Sequence, residues 1–295
     1  MADVTKARTG LLIRKLFEIL QGQRDGMRAA DALAALEKSV QLTAYEAGDY
    51  ESGGRRFERI VRFATVSCVK AGWLVKHKGV WTVSDEGAAA FAQITDPEKF
   101  YRQAERLYWT WRKAQPAAAE DTPAEEAAET SAVITLEEAE EVAWKEIEQF
   151  LAGMPPYEFQ ELVGELLRAM GYHVAWIAPT GKDGGVDVIA YNDPLGTRPP
   201  RIKVQVKRNA HSPRIDVVGL RSFMAVLGEG DVGLFVAMSG FTRDAELEAR
   251  QSHRRVTLLD TTKLVELWIE HYSKLEDAAR RRLPLKPVWF LAAED

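Results

Sequence analysis

The sequence predicts a two-domain α/β chain: helices closed by one hairpin, an acidic connector, and a C-terminal α/β sandwich around a mixed central sheet. Three observations predict it. The chain has 295 residues, more than one ordinary small domain needs. Charge changes abruptly along it. Residues 1–113 hold 19 basic against 14 acidic side chains, residues 114–150 hold 1 against 11, and residues 151–295 hold 19 of each. Finally, apolar residues recur at helical spacing in the first part, whereas beyond Pro156 a helix is followed by short, almost continuous apolar runs.

Composition excludes several classes. With 46% hydrophobic and 28% charged residues, the chain reads as globular rather than disordered or membrane-embedded. Its apolar runs are too short for a bilayer span, and MADVTKARTG lacks the apolar core of a signal peptide. A cytoplasmic location without membrane association is therefore expected. The single cysteine, Cys68, rules out an internal disulfide framework and a cysteine zinc cluster; within an apolar helical stretch it should be buried. Net charge is -5, but the acidity belongs to one segment and the N-terminal part is basic, a hint of a polyanion partner.

In the N-terminal domain, residues 1–113, Leu11–Leu20 and Ala29–Leu36 have helical spacing. A third helix spans Arg55–Lys70. Phe57, Ile60, Val61, Ala64 and Cys68 form its buried stripe, with Arg55, Arg56, Arg59 and Arg62 off it. Trp73–Lys76 and Val80–Val83 flank a tight turn at Lys78-Gly79, so they form a hairpin. Ser84 should cap a following helix, and Asp96-Pro97 should open another. Three helices closed by a hairpin is the order of a winged helix-turn-helix, whose third helix enters the major groove while the wing lies along phosphates. On that reading Arg55, Arg56, Arg59, Arg62, Lys76 and Lys78 bind DNA. The alternative is an ordinary solvated helix face. Residues 114–134 contain a stretch, Gln115 to Ala132, without any large apolar residue, and are expected to be a flexible linker. Thr135 and Glu138 then make a capping-box pattern ahead of a helix ending near Gly153.

The second domain, residues 135–295, carries the chemistry. A helix over Tyr157–Met170 buries Phe159, Leu162, Val163, Leu166, Leu167 and Met170, and Gly171 ends it. A strand over Tyr172–Ile177 leads through Thr180-Gly-Lys-Asp-Gly-Gly185 to two apolar strands, Val186–Tyr191 and Ile202–Lys207. If their loop centres near Gly196, Asp187 lies opposite Gln205, and Lys207, two residues on, projects from the same face as Gln205. Polar groups between buried strands are costly unless partnered, and Mg²⁺ is a partner suited to carboxylate, carbonyl and water oxygens. Such an ion, with a neighbouring lysine, supplies what phosphodiester hydrolysis needs: a polarised water and neutralised transition-state charge. A solvent-facing surface hairpin is the alternative. Thr242 could cap a helix whose free N–H groups, with Ser239, suit a DNA phosphate, or it could be a plain cap. No P-loop pattern is present, and the five histidines show no metal spacing.

Several blocks occur in one order: Phe159–Tyr172, Thr180–Asp187, Asp193–Gly196, Val204–Arg208, Met238–Thr242 and Leu258–Asp260 with Leu264 and Leu267. Together they resemble the catalytic domain of Mrr-type (type IV) restriction endonucleases, within the PD-(D/E)xK nucleases. Lys78–Gly87 resembles the wing of the Mrr N-terminal domain. The resemblance implies a restriction-endonuclease-like sandwich that hydrolyses double-stranded, methylated or foreign DNA with Mg²⁺, or Mn²⁺ in its place. It implies a metal held by Asp187, Gln205 and the Val206 carbonyl, with Lys207 acting on the water. A homo-oligomer, dimer or higher, is expected. One departure stands out: where the family carries Glu after the helix phenylalanine, this chain has Gln160. Either Gln160 fills that role through water, or Glu161 substitutes, or the site is weaker. Two rivals share the sequence: a structure-selective or repair nuclease, and a catalytically silent DNA-binding protein.

Overall fold

The computed structural model describes residues 4–23, 25–50, 54–114, 123–179, 185–288 and 290; side chains of 123–130 and 132 fall outside the description. Most of the glycine-rich turn before Asp187, residues 180–184, also lies outside it. The chain divides into two compact units, Met1–Lys145 with Trp289–Asp295, and Glu146–Val288.

The first unit runs α1 (Lys6–Gln21), β1 (Met27–Arg28), α2 (Ala29–Ser39), α3 (Arg56–Lys70), β2 (Leu74–His77), β3 (Val80–Val83), α4 (Asp85–Gln93) and α5 (Pro97–Lys113). The hairpin pairs Leu74 with Val83 and His77 with Val80, and β1 adds antiparallel to β3, giving the order β1-β3-β2. The expected caps form: the Ser84 hydroxyl accepts from the Gly87 N–H, and the Asp96 carboxylate from that of Lys99 ahead of Pro97. The core joins Leu12, Leu16 and Phe17 of α1, Phe57 and Val61 of α3, and Trp73, Trp81 and Phe100. Phe17 meets Phe100 edge-on at 5.1 Å. Cys68 is fully buried, which pushes its thiol up to about 12 and leaves it inert.

A long helix, α6 (Pro123–Gly153), follows. It begins well before Thr135, so the expected capping box is not a helix start: the Thr135 hydroxyl donates to the Ser131 carbonyl inside the helix. Residues 123–134, expected to be linker, are helical. Absence of large apolar residues argues against packing, but a run rich in Ala and Glu without an internal Pro or Gly has high helix propensity. The boundary between the units falls within α6, after Lys145.

The second unit continues with α7 (Pro156–Ala169), β4 (His173–Ile177), β5 (Val188–Tyr191), β6 (Arg201–Lys207), α8 (Val217–Ala225), β7 (Asp231–Ala237), α9 (Arg243–Gln251), β8 (Arg255–Leu259), α10 (Thr261–Glu270), a 3₁₀ turn (Tyr272–Lys274) and α11 (Asp277–Arg280). Gly171 adopts φ 95° after α7, and the Tyr172 N–H reaches back to the Leu167 carbonyl, a left-handed helix end that favours glycine. The sheet order is β4-β5-β6-β7-β8. The first three strands are antiparallel and the last three parallel, so the sheet is mixed, as expected. One face of β6, carrying Ile202, Val204 and Val206, is buried, as are Phe159, Leu162, Val163 and Leu166 of α7. Leu220, Phe223 and Met224 of α8 pack with Phe235, Ala237 and Phe241 in a separate cluster. No helix among the described residues is long and apolar enough to cross a membrane.

Candidate active site

The β5–β6 register decides where the polar residues meet. Val188 pairs with Val204 and Tyr191 with Arg201, a hairpin centred on Gly196. The register runs from Val188 to Tyr191, and Asp187 lies one residue before β5. Its N–H donates to the Val204 carbonyl at 2.7 Å, one residue off that register, and its carbonyl accepts from Ala178 at 2.8 Å, so the antiparallel ladder does not carry on to pair Asp187 with Gln205 as the sequence analysis expected. Asp193 organises the turn, its carboxylate accepting from the backbone N–H groups of Leu195, Thr197 and Arg198.

Asp187 is 3% exposed, and donors from different elements hold its carboxylate. Oδ1 accepts from Gln160 Nε2 of α7 at 2.5 Å, and Oδ2 accepts from the Val206 N–H at 2.7 Å. The second contact follows from strand geometry. The Lys207 carbonyl turns toward β7, where the Met238 N–H donates to it, so the backbone groups of Val206 turn the other way, past the end of β5. The Val206 carbonyl therefore points to the same side as the Asp187 carboxylate. Gln205 is partly buried and Lys207 exposed, both on the β6 face opposite the buried Ile202, Val204 and Val206.

Gln160 thus occupies the helix position beside Asp187. Glu161 does not: it lies 3.6 Å from Arg282 and hydrogen-bonds Tyr157, and Glu165 pairs with Arg168. Of the three expectations for the missing acid, substitution by Glu161 is the one this geometry disfavours.

The oxygens that these residues can offer are the Asp187 carboxylate, the carboxamides of Gln160 and Gln205, and the Val206 carbonyl. Among the described residues no cluster of three or more His, Cys, Asp or Glu forms. A hard, all-oxygen set with a single charge fits a divalent ion such as Mg²⁺ that keeps much of its water; it does not fit a softer metal that selects nitrogen or sulfur.

Ser239 and Thr242 follow β7, and the contact from Met238 to Lys207 brings their loop to the same end of the sheet. Thr242 caps α9, its hydroxyl accepting from the Ala245 N–H at 3.3 Å. The Ser239 hydroxyl is buried with no hydrogen-bond partner among the described residues. The ends of β6 and β7 are thus the carboxyl ends of parallel strands, where α/β sheets habitually place ligands.

The six basic residues assigned to DNA lie in the first unit and, where described, have protein partners. Arg55 pairs with Glu37, and Arg56 stacks on Tyr45 at 4.8 Å. Arg59 donates to Ser131. Arg62 is not a solvated residue off the stripe: it is 5% exposed and pairs with Glu138 and Glu141. Lys76 is likewise buried against Glu137, and Lys78 lies over the Trp144 ring at 4.6 Å. The sequence analysis missed these acidic partners. Their signal was present in the spacing of Ser131, Ile134, Glu137, Glu138, Glu141 and Trp144 at steps of three and four.

Gln160 of α7 and the Val206 N–H of β6 thus meet Asp187 at one end of a mixed α/β sheet, with Gln205 and Lys207 flanking Val206 on β6. In comparison with known proteins, residues 151–268 match the model of the Mrr catalytic domain, described as a restriction endonuclease. No curated protein matches the chain. Among solved structures, the chain is similar to MspJI restriction endonuclease in complex with a 27-mer oligonucleotide, at 19% identity over 68% of this chain, with a TM-score of 0.36. It is also similar to a repair endonuclease from Pyrococcus abyssi, at 20% identity over 36% of this chain, with a TM-score of 0.26. In each case it spans 47% of the other protein's length.

Proposed function

We propose that the protein is a Mg²⁺-dependent DNA endonuclease that restricts foreign or methylated DNA, cutting with the second unit and reading DNA with the first. The observation that carries this reading is the buried Asp187, held by Gln160 and the Val206 N–H, inside the segment that matches the restriction-endonuclease model. Asp187, Gln205 and the Val206 carbonyl would hold the ion, which when bound supplies a polarised water and charge neutralisation at the phosphate. The residues of the chain do the rest. Gln160 and the Val206 N–H fix the Asp187 carboxylate in one orientation. Lys207, exposed on the strand end, orients the attacking water and stabilises charge developing on the phosphoryl oxygens. The buried Ser239 hydroxyl and the first turn of α9 receive the neighbouring phosphate.

The first unit supports the reading role through its element order. Three helices, a hairpin and a short strand added to it form the plan of a winged helix, with α3 as the recognition helix. Since one such site cuts one strand, double-strand cleavage calls for two copies, and we expect a homo-oligomer.

Cleavage of methylated and unmethylated plasmid, each with Mg²⁺ and with EDTA, tests the proposal. The expected result is Mg²⁺-dependent cutting that favours the methylated plasmid. Equal cutting of both removes the restriction reading in favour of a repair or structure-selective nuclease. Binding without cutting under any divalent ion leaves a silent DNA-binding protein.

A further inference from the structure

We infer that α6 is an internal competitor of DNA: its acidic stripe occupies the cationic face of the first unit, and a duplex must displace it to engage α3 and the hairpin. The inference rests on the reading that the first unit binds DNA.

The contacts form one continuous surface. Glu141 accepts from Arg62 of α3 at 2.7 Å and from the Ala30 N–H, at the start of α2, at 3.0 Å. Its backbone and side chain also lie against the hairpin turn, where a Cβ added at Gly79 would sit 3.1 Å from Glu141 Cγ. One turn earlier Glu137 bonds Lys76 of β2 at 2.7 Å, and Glu138 approaches Arg62 at 3.4 Å. Ser131 accepts from Arg59, and Trp144 lies under Lys78. Arg59, Arg62, Lys76 and Lys78 are the groups that a winged helix would lay against phosphates, and α6 engages all four within the first unit.

The seat is chiefly electrostatic. Among the described residues of the stripe, Ile134 and Trp144 are the large buried apolar ones, whereas Val142 on the same helix is 57% exposed. Burial pushes Lys76 below the ordinary lysine value, with Glu137 pulling the other way, so its charge in this place depends on that carboxylate. Carboxylates of this kind and DNA phosphates compete for the same donors. Phosphate contacts of a basic face strengthen steeply as salt falls, and an ion-paired helix can exchange for them without unfolding the core.

The test is duplex binding by the full chain in EDTA, so that nothing is cut, at several salt concentrations. Glu137→Gln with Glu141→Gln removes two stripe carboxylates. Glu140→Gln with Glu146→Gln removes the same charge from exposed positions. The stripe pair should bind about tenfold more tightly than both wild type and the control pair, within the usual range of coupling between two sites. Adding Lys76→Gln to the stripe pair should reverse part of the gain. Hydrogen exchange on the wild type guards against misfolded variants: a saturating duplex should increase exchange across residues 131–144. Equal affinity of the stripe and control pairs, with exchange at 131–144 unchanged by DNA, would overturn the proposal. If the stripe pair binds as wild type and Lys76→Gln alters binding in no protein, the winged-helix reading falls with it. If Lys76→Gln weakens wild type while the stripe pair gains nothing, only the competitor is lost.

Discussion

The two units hold buried charge with different chemistry. In the first, Arg62 and Lys76 are paired with Glu137, Glu138 and Glu141, cation to anion. In the second, the Asp187 carboxylate accepts from the Gln160 carboxamide and from the Val206 N–H, and Lys207 stands exposed on β6. Removing one partner of a buried ion pair leaves the other charge uncompensated, whereas neutral donors orient a carboxylate without neutralising it themselves. On the reading proposed above, the first arrangement must be opened before it binds DNA and the second accepts a metal.

Substitutions can sharpen or break that contrast. The largest effect is expected at Lys207. Lys207→Ala should lower the cleavage rate by about 10³-fold or more, on the scale of losing an essential charge-stabilising group, while Mn²⁺ binding by calorimetry stays intact. Loss of both would make Lys207 part of the metal seat instead.

Gln160→Glu comes next. It sets a second carboxylate 2.5 Å from Asp187 Oδ1 in place of a donor, which should destabilise the metal-free protein by about 2 kcal/mol at neutral pH. Mn²⁺ should then raise the thermal midpoint more in the variant than in wild type. Cleavage in Mg²⁺ should be preserved or raised; a large loss would show that the neutral side chain is required.

At the other end of β6, Asp231 offers a case where charge is cancelled. Burial alone would raise its carboxyl, but bonds from Arg201, the Gly228 N–H and Lys203 outweigh it and hold Asp231 at about 2. A depressed folded value stabilises above the ordinary 3.8 and is lost as pH falls toward 2. Arg201 is half-exposed, so the contribution should be about 1–2 kcal/mol. Asp231→Asn should flatten that acid limb in urea titrations between pH 4 and about 2. An unchanged limb would assign acid sensitivity to other carboxylates.

The smallest effect concerns Thr242. If it only caps α9, Thr242→Ala should cost about 1 kcal/mol of stability and leave DNA affinity as it is. A drop in affinity with a reduced salt slope would place a phosphate there.

The second unit was legible because its signals are local. Strand alternation and a turn centred on Gly196 gave the register of β5 and β6, but not the one-residue offset just before β5 that sets the Asp187 N–H on the Val204 carbonyl. What α7 contributes was only half visible: the helix face allowed Gln160 to reach the site, but only the packing showed Glu161 turned to Arg282. In the first unit the Lys78-Gly79 turn with its hairpin and the Ser84 cap were legible, whereas the short strand β1 and the early start of α6 were not. Its surface was misjudged because Arg62 is buried by residues far along the chain, in a segment where low apolar content suggested no packing at all. Long-range ion pairs leave no periodic trace in the helix that receives them.

The central claim is that Asp187 belongs to the metal rather than to the DNA. It is tested most directly by nicking of supercoiled plasmid by Asp187→Ala beside wild type, in saturating Mg²⁺ and at equal DNA occupancy. The account predicts equal gel-shift affinity and no nicking above the EDTA background. Nicking by the variant at the wild-type rate would contradict it.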